Sequence, residues 1–132
     1  MKRMKRHNRG FTMIELMVVV AIIGMLAVIV APAVMNNLGK GQRATAAAQL
    51  ANLASALDMY RLTMGSYPSA LEGLVENDSG ASRWDGPYIR EIPLDPWGNP
   101  YVYTPEDRSF SLLSYGADGA PGGQNDDADI VH

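Results

Sequence analysis

The residues best suited to chemistry lie near the C-terminus, where several carboxylates share a segment with many glycines. Asp118, Asp126, Asp127 and Asp129 stand within or just after the segment Tyr115–Asp127. Carboxylate and carbonyl oxygens on a flexible loop are the hard ligands that calcium takes in sets of about six to eight. The spacing does not follow the EF-hand pattern of acids at alternate positions closed by a glutamate. From the residue types alone, a solvated acidic tail and a calcium loop both remain open.

The sequence offers little for acid–base or nucleophilic catalysis. It contains no cysteine, which excludes disulfides, thiolate zinc sites and thiol nucleophiles. The two histidines are His7, which lies in a basic N-terminal leader before Gly10, and His132, the last residue, so the folded part has no internal histidine. No G-x-S-x-G motif is present, and Val34 stands where a phosphate-binding loop ending in Gly39-Lys40 needs its first glycine. We therefore predict that the chain is not an enzyme.

Charge is distributed unevenly along the chain. Five of the eleven basic residues precede Gly10, and no acid accompanies them. Without this leader, six basic residues face fourteen acids, which is a net charge of −8. Nucleic-acid binding needs a basic surface that displaces counterions from phosphates. The acidic remainder therefore argues against nucleic acid as a partner.

An uncharged, mostly apolar run extends from Leu16 to Met35. As a helix it covers about 30 Å, the hydrocarbon thickness of a bilayer. Because basic residues favour the cytoplasmic side, the leader predicts a cytoplasmic N-terminus and an exported C-terminal domain. An ordinary secretory signal is the alternative, since Ala31-Pro32-Ala33 is a small-x-small sequence of the kind that signal peptidase cleaves. The length of the run and the carboxylate of Glu15 at its start argue against that alternative.

The junction before the apolar run, Gly10-Phe11-Thr12-Met13-Ile14-Glu15-Leu16, resembles the processing site of type IV prepilins and their relatives. The resemblance implies that a membrane-embedded prepilin peptidase cleaves after Gly10 and methylates Phe11, so that the apolar helix is kept. A carboxylate inside a bilayer costs about 2.5–3.5 kcal/mol and usually has a partner. For Glu15, the resemblance implies the Phe11 amine of a neighbouring subunit; a position at the headgroup level is the alternative. Pro32 also matches the family, and proline can kink or locally melt a helix.

Beyond residue 36 the pattern predicts an α+β domain. Apolar residues recur at steps of three and four, which places them on one face of a helix from Phe11 to about Met64. These residues are Ala46, Leu50, Leu53, Leu57, Tyr60 and Met64. Gly65 should end this helix, and a short second helix should follow Pro68. Residues 101–104 and 110–114 are β-prone and predict a hairpin in a small antiparallel sheet that covers the apolar helix face. We expect Trp97 and Tyr101 to pack in the core against the helix, with contact to a partner as the alternative.

Five further motifs narrow the resemblance to the major pseudopilins of type II secretion systems. They are Ala56–Leu62, Tyr67-Pro68, Gly73-Leu74, Gly86–Ile89 and Asp95–Tyr101. The resemblance implies a pilin-like fold: a long N-terminal helix packed against a short helix and a small antiparallel sheet, with a C-terminal metal-binding loop. It divides the chain into a cleaved leader at 1–10, a transmembrane and assembly half-helix at 11–35 and a periplasmic domain at 36–132.

The function that this resemblance implies is that of a structural subunit in a short periplasmic filament that drives export of folded proteins. Its partners would be copies of itself, minor pseudopilins, the prepilin peptidase and the inner-membrane secretion platform, with membrane lipid around the helix before assembly. A type IV pilin for adhesion, motility or DNA uptake has the same architecture and is the alternative. The short acidic domain and its C-terminal loop argue against that alternative.

The same resemblance favours calcium over a solvated tail, because major pseudopilins hold calcium in this loop. Residue by residue, it implies side-chain ligands from Asp118, Asp126 and Asp127, with carbonyl ligands from Tyr115 and Gln124. A cation that binds only the folded state stabilises it by mass action. We therefore expect a structural role for calcium, with no activation of water.

Overall fold

The computed structural model describes residues 10–132, so the basic leader before Gly10, with His7, lies outside the described residues. Its elements are a long helix α1 (Met13–Met64), three short strands β1 (Val102–Pro105), β2 (Phe110–Ser114) and β3 (Ile130–Val131), and two 3-10 turns, η1 (Leu71–Leu74) and η2 (Asn125–Asp127). The chain divides into two compact units, with the boundary between Asn37 and Leu38. The predicted α+β class is observed.

Both ends of α1 are capped. Thr12 Oγ1 accepts a hydrogen bond from the Glu15 N–H at 3.3 Å, and Glu15 Oε2 accepts one from the Thr12 N–H at 2.9 Å. This reciprocal pair is a capping box. At the other end, the N–H of Gly65 donates to the Arg61 carbonyl at 2.7 Å while Gly65 adopts a φ of 88°. That left-handed conformation suits glycine and ends the helix where the sequence predicted.

The part of α1 in the first unit is apolar and uncovered. Large side chains such as Ile22, Met25 and Val28 are between 52% and 75% exposed. By length and composition, α1 is the one helix among the described residues that could cross a bilayer. Pro32 lies within α1, and the backbone on both sides of it is α-helical. The local melting that proline could cause is therefore not observed.

In the second unit, α1 presents the predicted apolar stripe to the core. Ala46, Leu50, Leu53, Leu57 and Tyr60 are buried, and Met64 is partly buried at the edge. Each fully buried leucine contributes about 1.5–3 kcal/mol relative to an exposed one. The predicted second helix is the 3-10 turn η1, whose Leu71 and Leu74 pack against this stripe together with Leu112 of β2.

The sheet is antiparallel and has the order β1-β2-β3. In the predicted hairpin, Val102 lies opposite Leu113, and Pro105 lies on the edge strand, where its missing N–H breaks no interior ladder. β3 was not predicted, since two residues carry no periodicity; it pairs with β2 so that Ser114 lies opposite Ile130. The segment between β2 and β3 is therefore held at both ends by neighbouring strands.

Of the two aromatic residues expected in the core, only Tyr101 is there, at 6% exposed. Trp97 is partly buried, and within the described chain it is not among the side chains that form the core or pack against it. The expectation for Trp97 is wrong because this residue lies inside a tight turn, in which the Gly98 N–H donates to the Asp95 carbonyl at 2.9 Å. Trp84 and Tyr88 pack against the core instead.

Candidate functional site

The predicted ligands lie in one segment, residues 115–129 between β2 and β3, which we call the C-terminal loop. Its two arms meet backbone to backbone at Gly116, where a Cβ atom would lie 2.8 Å from the Asp126 carbonyl oxygen and 3.0 Å from that of Ala128. Gly116 has a φ of 76°, which also disfavours other residues. The Ala117 N–H donates to the Asp126 carbonyl at 2.9 Å across the same junction. The loop is thus a folded structure with close contacts between its arms.

A buried carboxylate fixes the start of the loop. Asp95 is 4% exposed, and its Oδ1 accepts hydrogen bonds from the N–H groups of Trp97 at 3.1 Å and Asn99 at 2.8 Å. Its Oδ2 accepts from the Ser114 hydroxyl at 2.7 Å, and Ser114 Oγ accepts from the Gly116 N–H at 3.2 Å. Three donors thus satisfy the carboxylate oxygens of Asp95 in their buried position. The turn that begins at Asp95 therefore positions the first arm of the loop.

Asn99 connects the same turn to the loop a second time. Its Nδ2 donates to the Gly116 carbonyl at 3.2 Å, and its side-chain amide lies 3.2 Å from the position that a Cβ of Gly119 would take, which is a tight contact. Sequence reasoning assigned the motif from Asp95 to Tyr101 to turn formation and core packing, and missed its contacts with the loop. No local pattern connects these positions, because the partners are 17 to 19 residues apart.

Tyr101, which precedes β1, makes a side-chain hydrogen bond to α1. Its hydroxyl donates to Gln49 Oε1 at 2.5 Å. Burial raises the pKa of Tyr101 to about 12, and the negative charge of Asp95 adds to the rise. The phenol therefore stays protonated, and stays a donor, at any physiological pH.

The predicted calcium ligands share the loop without converging in this structure. Asp118 Oδ1 accepts from the Ala120 N–H at 3.1 Å, the Asp127 N–H donates to the Gln124 carbonyl at 3.1 Å, and Tyr115 is partly buried at the end of β2. The Asp126 carboxylate packs against Gly39 of α1. Among the described residues, no three His, Cys, Asp or Glu side chains are grouped so as to hold a metal ion. The donor types suit calcium, and the observed side-chain arrangement does not yet gather them.

Arg43 of α1 is a cation that sequence reasoning did not assign to this site. Its Nη1 donates to the carbonyls of Asn125 at 2.9 Å and Ala128 at 2.8 Å, the first residue of η2 and the residue that follows it. The contacts join residues 82 and 85 positions apart. Helical periodicity places Arg43 on a face of α1 but gives no sign of what that face meets.

At the other end of the described chain, the predicted processing and assembly residues lie around the start of α1. Gly10 and Phe11 precede the helix, and Phe11 is 83% exposed. The exposed carboxylate of Glu15 serves the capping box with Thr12 within its own chain. The spacing T-x-x-E is the signature of that box, so this contact could have been read from the sequence.

Comparisons with known proteins agree on one class. A model described as type II secretion system (T2SS), protein G, matches residues 33–132, and one described as the prokaryotic N-terminal methylation motif matches residues 5–31. The chain is 45% identical to type II secretion system core protein G of Pseudomonas aeruginosa, covering 96% of this chain and 95% of the relative. It is 41% identical to the Vibrio cholerae protein of that name, covering 98% of this chain and 94% of the relative.

A solved structure is also similar, the crystal structure of the major pseudopilin from the type 2 secretion system of enterohaemorrhagic Escherichia coli. It is 34% identical, with a TM-score of 0.59, over 74% of this chain and 91% of that one. The likeness confirms the predicted pilin-like class, a long helix with a small antiparallel sheet, and leaves the metal-binding character of the C-terminal loop a prediction.

The Asp95 network yields a stability prediction. Asp95→Ala should lower the free energy of unfolding by about 3 kcal/mol, because three donors lose their acceptor in a buried place. Asp107→Ala, which removes an exposed carboxylate in the β1–β2 loop, should change it by less than about 0.5 kcal/mol. Urea unfolding of the unit Leu38–His132 measures both, and equal effects of the two substitutions would contradict the assigned role of Asp95.

Proposed function

The chain belongs to the protein G family of the type II secretion system, the major pseudopilins, and we propose that it is made as a prepilin, cleaved after Gly10 and methylated on Phe11. Its family makes it a structural subunit and not an enzyme. The observation that carries the proposal is the methylation-motif match over residues 5–31, which includes the Gly10-Phe11 junction and the start of an apolar, uncovered helix. A peptidase of the prepilin class is the implied processing partner.

The first half of α1 anchors the precursor in a membrane. We propose a single pass through the inner membrane, with the N-terminus in the cytoplasm and the unit Leu38–His132 in the periplasm. The basic residues before Gly10 support this orientation, because positive charge is retained on the cytoplasmic side. The acidic charge of the remainder does not oppose export.

The same half-helix is the assembly element after processing. Its large apolar side chains have no cover among the described residues of one chain, so they need either lipid or other apolar helices. Copies of this chain supply such helices, and we propose that they bundle into the core of a helical periplasmic filament. Minor pseudopilins would join through the same kind of helix, and the inner-membrane secretion platform would receive subunits from the bilayer.

Glu15 is the charged group that this assembly must accommodate. In the single chain its carboxylate accepts a hydrogen bond from the Thr12 N–H, which partly satisfies it. After cleavage, Phe11 carries a positively charged amine about one helical turn away. We propose that Glu15 exchanges its capping contact for the Phe11 amine of a neighbouring subunit, so that both charges are neutralised as the filament grows.

Glu15→Gln tests this charge pairing with little disturbance of the helix. Glutamine can still complete a capping box, so the substitution removes the charge and keeps the cap. In a strain without its own major pseudopilin, we expect filament yield and protein export to fall at least about tenfold, the effect of about 1.4 kcal/mol. Leader removal, seen as a shift on gel electrophoresis, should be unchanged. Glu72→Gln, an exposed carboxylate in η1, is the matched control, and wild-type filament yield with Glu15→Gln would contradict the pairing.

We further propose that the C-terminal loop binds calcium through Asp118, Asp126 and Asp127, with carbonyl oxygens of Tyr115 and Gln124. The donors are hard oxygens, and the loop carries several acids on a backbone rich in glycine. Asp95 and Asn99 hold the first arm in place, and β3 holds the second. Calcium, if bound, would neutralise the acids of the loop and join its two arms. The Asp95 and Asn99 contacts would hold in place the first arm, which carries Asp118.

Calcium binding should raise the melting temperature of the unit Leu38–His132. At a free calcium concentration a hundredfold above the dissociation constant, binding to the folded state raises the free energy of unfolding by about 2.7 kcal/mol. For a domain of this size, that corresponds to a rise in melting temperature of at least about 10 °C. The shift should vanish with EDTA and with Asp127→Asn, and should persist with Asp107→Asn. The same melting temperature of the wild-type unit in calcium and in EDTA would contradict the proposed calcium site.

A further inference from the structure

Gly39 is buried although the residues next to it on α1 are exposed. The cover is the carboxylate of Asp126, whose Cγ, Oδ1 and Oδ2 atoms occupy the space in which a Cβ on residue 39 would stand. Glycine in a helix interior costs about 1 kcal/mol relative to alanine. At position 39, the missing side chain leaves the space that the Asp126 carboxylate occupies.

Arg43 lies one helical turn after Gly39, on the same face of α1. Its Nη1 donates to the carbonyls of Asn125 and Ala128, which stand on either side of Asp126 and Asp127. The guanidinium places a permanent positive charge beside an acidic turn. Gly39 and Arg43 therefore contact the same turn, η2. Gly39 leaves space for the side chain of Asp126, and Arg43 donates hydrogen bonds to the backbone.

We propose that Gly39 and Arg43 form a docking site for the C-terminal loop on α1, and that docking on Gly39 competes with calcium for the carboxylate of Asp126. The competition rests on the proposed calcium site; the docking does not. In the docked arrangement, Asp126 is directed at the helix and no three carboxylates are gathered among the described residues. To serve as a ligand, Asp126 must leave Gly39. Arg43 donates to backbone carbonyls, so its contact makes no direct use of the Asp126 carboxylate.

Two glycines of the same helix allow a matched test of the docking. Gly39→Ala places a methyl group in the Asp126 carboxylate, whereas Gly41→Ala meets nothing within 4 Å. We expect hydrogen exchange of the loop amides of Ala117, Asp127 and Ala128, followed in EDTA on the processed full-length chain in detergent, to accelerate at least about tenfold with Gly39→Ala and to stay unchanged with Gly41→Ala. Wild-type exchange rates in Gly39→Ala would overturn the docking site.

A second substitution distinguishes a specific collision from general damage to the fold. Asp126→Ala removes the three atoms that would lie nearest to the new methyl group, Cγ, Oδ1 and Oδ2 of Asp126. The double variant Gly39→Ala, Asp126→Ala should therefore recover most of the protection lost in Gly39→Ala alone. Failure of this rescue would show that residue 39 acts by another route and would overturn the steric part of the proposal.

Arg43 is tested separately by its charge and its hydrogen bonds. Arg43→Met should speed exchange of the Asp127 and Ala128 amides, and Arg43→Lys should restore part of the protection, because an ammonium can donate to the same carbonyls. Lys40→Met, which removes a neighbouring positive charge from α1, is the control and should have no effect. Equal exchange in Arg43→Met and Lys40→Met would overturn the role of Arg43.

The competition is tested by calorimetric titration with calcium. Gly39→Ala frees Asp126 from the helix in advance, so this variant should bind calcium at least about threefold more tightly than Gly41→Ala. Equal affinities would overturn the competition. Absence of calcium binding in the wild-type chain would instead refute the calcium site, and the exchange measurements in EDTA would still decide the docking.

Discussion

The helix α1 lies in two different environments, and the packing of the rest of the molecule depends on this difference. Its first half is apolar and exposed, and its second half packs against the core of the domain. Before Asn37 the side chains of α1 are large, apolar and uncovered, so this half requires lipid or the helices of other subunits. After Leu38 the same helix carries an apolar stripe on one side only, which the sheet and η1 cover. The chain can therefore fold a stable domain around one half of a helix while the other half is kept for assembly.

The domain built on the second half is small, and polar contacts hold the parts that apolar packing does not reach. The buried carboxylate of Asp95 organises its own turn and the start of the C-terminal loop. Tyr101 and Gln49 tie the sheet side to α1, and Arg43 ties the far arm of the loop to the same helix. The C-terminal loop, which carries several acids on a backbone rich in glycine, is thus attached to the fold through Asp95 on its first arm and through Arg43 on its second.

The elements that could be predicted from sequence are those with a local signature. The helical stripe from Ala46 to Tyr60, the stop at Gly65 and the β1–β2 hairpin follow from periodicity and turn chemistry within a few residues. The contacts of Asp95 with Ser114 and of Arg43 with Ala128 span 19 and 85 positions and have no such signature. Trp97 was misplaced because an aromatic residue in a turn was treated as a core residue. The contact of Asp126 with Gly39 was missed because nothing at either position indicates the other.

The most direct measurement of the central claim, that the apolar half of α1 is kept as the assembly element, is the intact mass and N-terminal sequence of subunits taken from purified filaments. We expect a chain that starts at Phe11 with a single added methyl group and retains the whole apolar run. A subunit that starts at Val34, after Ala31-Pro32-Ala33, would contradict it, because such a chain has lost the helix through which it is proposed to assemble.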